Sequence, residues 1–462
     1  MRLIIKWWGN GAARIIFRVV KSGLLASAGI ACIGLALGCG SGLMPVQQSQ
    51  LSGSQQQLSE KDAQNTLYNI QDLGVFGPNP SAPGGPLVVT NSGWISGAAG
   101  VGPGGTGPEH AVLYYRGNTI DVGNPGLGGN SMGYGVNESG VTAGEAENTA
   151  AGRATTEDFC GFQFLGFSSS ATPCVAFVWR NGQMVSLPTL GGVNGSATEI
   201  NNSGMIGGYA ETTTVDPNCS APQKYQFKPV VWDHGAVQAL PMGDDADGGV
   251  FAVNDRGDAA GATGSCAPLN PILLLYLNPT HALLWHDGVA IDLGNLGGEF
   301  NNLPHGMNNL GQVVGESDLA GDQTAHAFLA SAGTKMQDLG TVGNDTYSFG
   351  FGINDAGDIV GISANADFSV IRAFIRRNGT LVDLNTLVTG TNPFPNGTLL
   401  TACFINSKGE ITGIALDSTG AEHTYLATPV HSASSTKANV RKPVVLPDWI
   451  GERFRAAFHS GL

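Results

Sequence analysis

The residues of this chain that could do chemistry recur at matching places, and the recurrence limits what they can be for. Four histidines, His110, His281, His326 and His423, each open a short apolar run such as His281-Ala282-Leu283-Leu284-Trp285 or His326-Ala327-Phe328-Leu329. A histidine beside a carboxylate equips a site for acid–base catalysis, but four at one repeated position imply one structural bond made four times. His305 differs: it lies three residues before Asn308, at an inward strand position lining the centre of the fold. His234 and His286 fall at turns. Among the carboxylates one cluster stands out, Gly243-Asp244-Asp245-Ala246-Asp247-Gly248-Gly249. Asp at alternate positions among glycines suits oxygen ligation of calcium, so Asp244, Asp245 and Asp247 are candidate cation ligands, with a solvated turn as the other reading. The spaced final Glu of a helix–loop–helix calcium motif is absent. So are G-x-S-x-G, H-E-x-x-H, a phosphate loop and a dinucleotide fingerprint. No cofactor other than calcium is expected.

The seven cysteines divide by place. Cys32 and Cys39 lie in the apolar N-terminal stretch, and Cys403 sits at an inward strand position as a buried thiol. Cys160, Cys174, Cys219 and Cys266 fall in three long connections, off the predicted strands. An even set of loop cysteines in an exported chain predicts disulfides, with Cys160–Cys174 and Cys219–Cys266 preferred among three pairings. Zinc held by four thiolates lacks the C-x-x-C spacing it needs.

The elements that position these residues are repeats. An Asn with Gly three and seven residues later occurs at Asn137, Asn201, Asn254, Asn308, Asn354 and Asn406, and a degenerate copy is anchored at Thr90. A D-L-G run appears at Asp72, Asp121, Asp292, Asp338 and Asp383 in complete or altered form. The apolar run and the D-L-G run are joined by Asn181-Gly182, His234-Gly235, Asp287-Gly288 or Asn378-Gly379, pairs that supply the positive φ angles of a two-residue hairpin. Each unit therefore reads as four short antiparallel strands, seven units in all. Gly, at 69 of 462 residues, is twice its ordinary share of about 7%, as many short strands between tight turns require. Four-stranded units at this period predict an all-β, seven-bladed β-propeller, with a twisted solenoid or paired sandwich as the alternative. The chain enters on an unpaired D-L-G strand and leaves on an unpaired apolar strand. The two complete one another, so the ring is expected to close by pairing its termini.

The motifs H-A-F-L-W, D-L-G-x-L-G-G and I-N-x-x-G-x-V-V-G resemble those of the HAF-type extracellular repeat family of bacterial proteins, across about 360 residues. The resemblance implies an exported protein and transfers no catalytic residues.

Four segments follow. Residues 1–38 carry Arg2, Lys6, Arg14, Arg18 and Lys21 with no acid, then an apolar stretch shorter than the roughly 20 residues a spanning helix needs; this is an export signal. Its end, Leu35-Ala36-Leu37-Gly38-Cys39, resembles the lipobox of bacterial lipoproteins, which implies lipidation at Cys39 and, with Gly40 following, outer-membrane sorting. Residues 39–66 are a Ser/Gln/Gly-rich tether, 67–429 the propeller, and 430–462 a flexible tail. In that tail Trp449, Ile450, Phe454, Ala457 and Phe458 share one helical face. A net charge of −14 disfavours nucleic acid as a partner. The connections Glu145–Cys174, Tyr209–Phe227 and Ala262–Thr280 are the longest and fall on one face of the ring. Binding residues gather on variable loops held by a rigid scaffold. The expected function is an exported, lipid-anchored binding or scaffold module that holds a protein or glycan on this long-loop face. The alternative is a propeller-hosted lyase or glycosidase, which would place two carboxylates, or a His with a carboxylate, in the central opening.

Overall fold

The computed structural model describes residues 66–74, 88–100, 108–123, 129–148, 173–219, 223–270, 275–430 and 444–446. Cys39, Cys160, the export signal, most of the tether and the tail's apolar face lie outside these residues.

Seven antiparallel sheets form a seven-bladed β-propeller. Blade 2 shows the unit: Ser131–Val136 innermost, then Thr142–Glu147, Cys174–Arg180 and Gln183–Ser186 outermost. Blade 1 reduces its inner strand to a bridge between Val89 and Ile95. Blade 7 is built from both ends of the propeller. Ile411–Leu416 pairs with Glu422–Val430, which pairs in turn with Leu67–Gly74 from the start of the described chain. Leu67 stands opposite Val430 and Gly74 opposite Thr424, and Val388–Thr389 covers the remaining edge of the N-terminal strand in parallel. No long edge is left open there to recruit a foreign strand.

Each repeated motif has a geometric cause. The turns between third and fourth strands put two successive residues at positive φ: Asn181 and Gly182 at 51° and 81°, Asp287 and Gly288 at 49° and 74°. That is the hairpin geometry whose twist matches the strands. The final glycine of the Asn motif answers a different constraint. In blade 6 the inner strand Tyr347–Ile353 carries a bulge between Gly350 and Gly352, and a Cβ on Gly361 would lie 1.9 Å from the Phe349 carbonyl oxygen. A Cβ on Gly144, Gly261, Gly315 or Gly413 would likewise collide with an inner-strand carbonyl of its own blade. A bulge re-aims a strand locally, and here glycine makes room for it.

The anchor asparagine does more than close a turn. Asn308 Oδ1 accepts the amides of Leu310 and Gln312, each at 3.0 Å, while its Nδ2 donates to the Asn354 carbonyl of the next blade at 3.0 Å. The same inter-blade donation runs from Asn137 to Asn201, Asn201 to Asn254, Asn254 to Asn308, Asn354 to Asn406, and Asn406 to Thr90. Six junctions are thus latched by one repeated amide. At the seventh, Thr90 has no amide, and Glu138 instead accepts the backbone N–H groups of Asn91 and Ser92 at 2.8 Å each. The turn alone does not account for the motif, which is also the belt between blades.

Candidate binding face

The strand directions place both tight turns of each blade on one face and the longer connections on the other. On that second face two of the three expected loops are strands. Blade 3 extends as Ile206–Val215 with Tyr225–Asp233, and blade 4 as Ala259–Asn270 with Leu275–His286; second and third strands elsewhere run mostly six or seven residues. The β-branched run Thr212-Thr213-Thr214-Val215 has the propensity for this. Register shifts between Glu211 and Val215, and between Cys266 and Asn270, carry the pairing outward past irregularities that read as loop. Two cysteines are accordingly not off the strands: Cys174 begins a strand and Cys266 lies within one.

Cys219 and Cys266 form a disulfide, with Cα atoms 5.3 Å apart, that joins the extended hairpins of neighbouring blades. Cys174 is also disulfide-bonded, and Cys160 lies outside the described residues. Cys403 is a free, buried thiol. Val193, Val215 and Phe300 stand on or beside this face with 36%, 52% and 43% of their surface exposed, a scatter of apolar contacts along its rim.

The repeated histidines are paired with the repeated aspartates. His110 Nδ1 meets Asp121 at 2.9 Å, His326 Nδ1 meets Asp338 at 2.9 Å, and His423 Nδ1 meets Asp72 at 3.1 Å across the closing seam. His281 turns instead to Asp245 at 2.8 Å. The same aspartates cap the turn after them, Asp72 and Asp338 each accepting the N–H of the glycine two residues on. The pairs at His110, His326 and His423 hold third strand to fourth.

The candidate calcium ligands do not converge through bonds of their own. Asp245 accepts from Thr263 Oγ1 at 2.5 Å and meets His281, while Asp247 Oδ1 accepts the Phe227 amide and Gln223 Nε2, each at 2.8 Å. Asp244 is exposed.

Polar groups do stand near the axis, and two pairs of them bind each other. His305 and Glu316, 2% and 1% exposed, bind through Nε2 and Oε2. At the equivalent position of blade 2, Tyr134 Oη donates to Glu145 Oε1 at 2.8 Å. Burial pushes the Glu109 and Glu145 carboxyls up to about 7, and pushes the fully buried Glu199 well above the ordinary carboxylate range. Sequence reasoning placed His305 inward but missed its partner. The signal was present: Glu145 and Glu316 both lie eight residues after an anchor asparagine, and Tyr134 and His305 three before. Each of these side chains is buried.

No protein-family profile matches the chain, and no curated protein matches it. Solved structures that resemble it include a β-propeller domain and enzymes. The β-propeller domain of the Trilobed protease from Pyrococcus furiosus is similar with a TM-score of 0.44 at 7% identity, covering 80% of this chain and 97% of that one. Dipeptidyl peptidase 4 of Porphyromonas gingivalis is similar with a TM-score of 0.36 at 10% identity, over 77% of this chain and 54% of that one. A glycoside hydrolase is similar with a TM-score of 0.29 at 7% identity, over 86% and 100%. At such distances the likenesses transfer no chemistry. Among the described residues no helix is long and apolar enough to cross a membrane.

Proposed function

We propose that this chain is an exported binding or scaffold module of the HAF-repeat type, which holds a protein or glycan on its long-loop face. The observation that carries the reading is the pair of extended hairpins on blades 3 and 4, cross-linked by Cys219–Cys266. A wall fixed in this way keeps its shape on meeting a partner, so little conformational entropy is lost on binding. The disulfide also fits an oxidising compartment. Upstream, lipidation of Cys39 with outer-membrane sorting gives the module an anchor and the tether gives it reach. The test is a glycan and peptide array probed with the purified chain, repeated with Cys219→Ser. The expected result is a defined ligand class whose affinity falls in the variant while the fold persists. No ligand on either array, or a ligand bound equally by the variant, would remove the hairpin wall from the function.

A further inference from the structure

Beside the disulfide that staples the hairpins the structure gathers three donors, with a fourth carboxylate next to them. The Cys219 and Cys266 sulfurs and a carboxylate oxygen of Asp247 lie within 4.8 Å of one another. The Asp216 carboxylate lies close enough to Asp247 to push its carboxyl up further than burial alone. Both aspartates are buried, 3% and 2% exposed, and each leaves its Oδ2 without a hydrogen-bond partner. Their other oxygens are fixed. Asp216 Oδ1 accepts the Asn218 amide at 2.8 Å, and Asp247 Oδ1 accepts from the Phe227 amide and Gln223 Nε2. Two buried carboxylates beside one another, each presenting one bare oxygen, cannot both stay ionised unless a proton or a cation lies between them. The lysines of this hairpin are engaged elsewhere: Lys224 Nζ stands over the Tyr225 ring, and Lys228 Nζ donates to the Ala246 carbonyl at 3.0 Å.

We propose that reduction of the Cys219–Cys266 disulfide converts this locus into a zinc site of two thiolates and two carboxylates: Cys219, Cys266, Asp216 and Asp247. A disulfide sulfur is a poor ligand, so the oxidised form offers oxygen alone. Breaking the bond supplies two soft donors beside the two hard ones, the mixed tetrahedral set that zinc accepts. Tetrahedral Zn²⁺ at about 2.3 Å from sulfur and about 2.0 Å from oxygen spaces its ligands roughly 3.3–3.8 Å apart, so the two sulfurs must move apart from bonding distance while the sulfur–carboxylate separations, up to 4.8 Å, close by about 1 Å. The amides on the two Oδ1 atoms hold the carboxylates in place, as outer partners do at metal centres. A newly made chain carries these cysteines as thiols before it reaches an oxidising compartment. Metal and disulfide are therefore alternative locks on the same pair of hairpins, whatever the face binds.

The redox step is balanced by a phosphine. The S–S bond takes two electrons and two protons to give two thiols, and the phosphine becomes its oxide with oxygen from water. Zinc then displaces the two thiol protons and any proton between the carboxyls. The experiment titrates Co²⁺ into the phosphine-reduced full chain without oxygen, reading sulfur-to-cobalt charge transfer and the visible bands of tetrahedral cobalt. One equivalent should bind and be displaced by Zn²⁺, while unreduced protein shows neither band. Cys219→Ser and Cys266→Ser should each abolish the signal, and Asp247→Asn should weaken binding at least about tenfold. Cys174→Ser should leave the signal intact. A folded reduced chain with no stoichiometric band overturns the proposal. So does a band that survives Asp247→Asn at full affinity, or one that vanishes in Cys174→Ser. If reduction unfolds the chain, Zn²⁺ must restore its strand circular dichroism, and failure to do so also overturns it.

Discussion

Replacing Asn308 by Asp separates the belt between blades from the turn within one. The carboxylate keeps the acceptor that holds the Leu310 and Gln312 amides at 3.0 Å, so the hairpin turn is preserved. What changes is the atom at the Nδ2 position, which now faces two oxygens, the Asn354 carbonyl and Gln312 Oε1. Gln312 can rotate its amide to donate. The Asn354 carbonyl cannot, although it keeps the Gly357 amide at 2.9 Å and is not left bare. The loss is one neutral hydrogen bond, about 1 kcal/mol, together with a buried charge lacking its donor, a further 2 kcal/mol or so. The expected cost is about 3 kcal/mol at neutral pH. At the average unfolding entropy per residue, a ring of about 360 residues shifts by roughly 1.3 °C per kcal/mol, so the midpoint should fall by about 4 °C. Scanning calorimetry of Asn308→Asp beside Asn308→Ala reads this directly. The alanine variant loses turn and belt together and should fall further. If Asn308→Asp melts within about 0.5 kcal/mol of the parent, in the range of an ordinary surface change, the amide latch contributes nothing and the turn alone explains the asparagine.

Three other outcomes follow from the geometry. The folded chain holds Glu109 and Glu145 at about 7, above the 4.5 of the free side chain, so their stabilising contribution is complete below about pH 4.5 and is lost as pH rises through 7. Each group accounts for about 3 kcal/mol across that window, and Glu145→Gln should flatten the measured stability–pH curve by one group's share; an unchanged curve would show that Glu145 is not protonated in the folded state. Gly361→Ala drives a Cβ toward the Phe349 carbonyl and should cost about 3 kcal/mol or more in chemical denaturation; a neutral result would mean that the bulge relaxes freely. His326→Ala removes a half-exposed pair with Asp338 and should cost less than about 1 kcal/mol in the same assay, whereas a large loss would give the repeated histidines a role beyond joining two strands.

The blade was legible because its signals are local. Asn-Gly and Asp-Gly pairs dictate positive φ within two residues, and the alternating runs beside them fit only short strands. Closure was legible too, because a strand without a partner at each end has one economical solution. What escaped were bonds between blades. Nothing in a single repeat reveals that the Asn308 amide reaches Asn354, since the partner lies 46 residues on and is set by the ring. The Tyr134–Glu145 and His305–Glu316 pairs were hidden for a similar reason, being visible only when two blades are aligned by their anchors. The extended hairpins were misread as loops because Asp216, Pro217 and Asn218 interrupt the apolar alternation, while the pairing continues beyond a shift in register.

The seam in blade 7 also fixes which way the molecule points. Leu67 and Val430 stand opposite one another, so both ends of the propeller leave from the tight-turn face. The chain thus enters the propeller on the face opposite the stapled hairpins. A pull between a tether below and a partner above would run along the axis of the Leu67–Gly74 strand. Its seven register partners, from Leu67↔Val430 to Gly74↔Thr424, would then bear the load together in shear instead of opening one at a time. The joint that completes the ring is thus oriented to act as its mechanical grip.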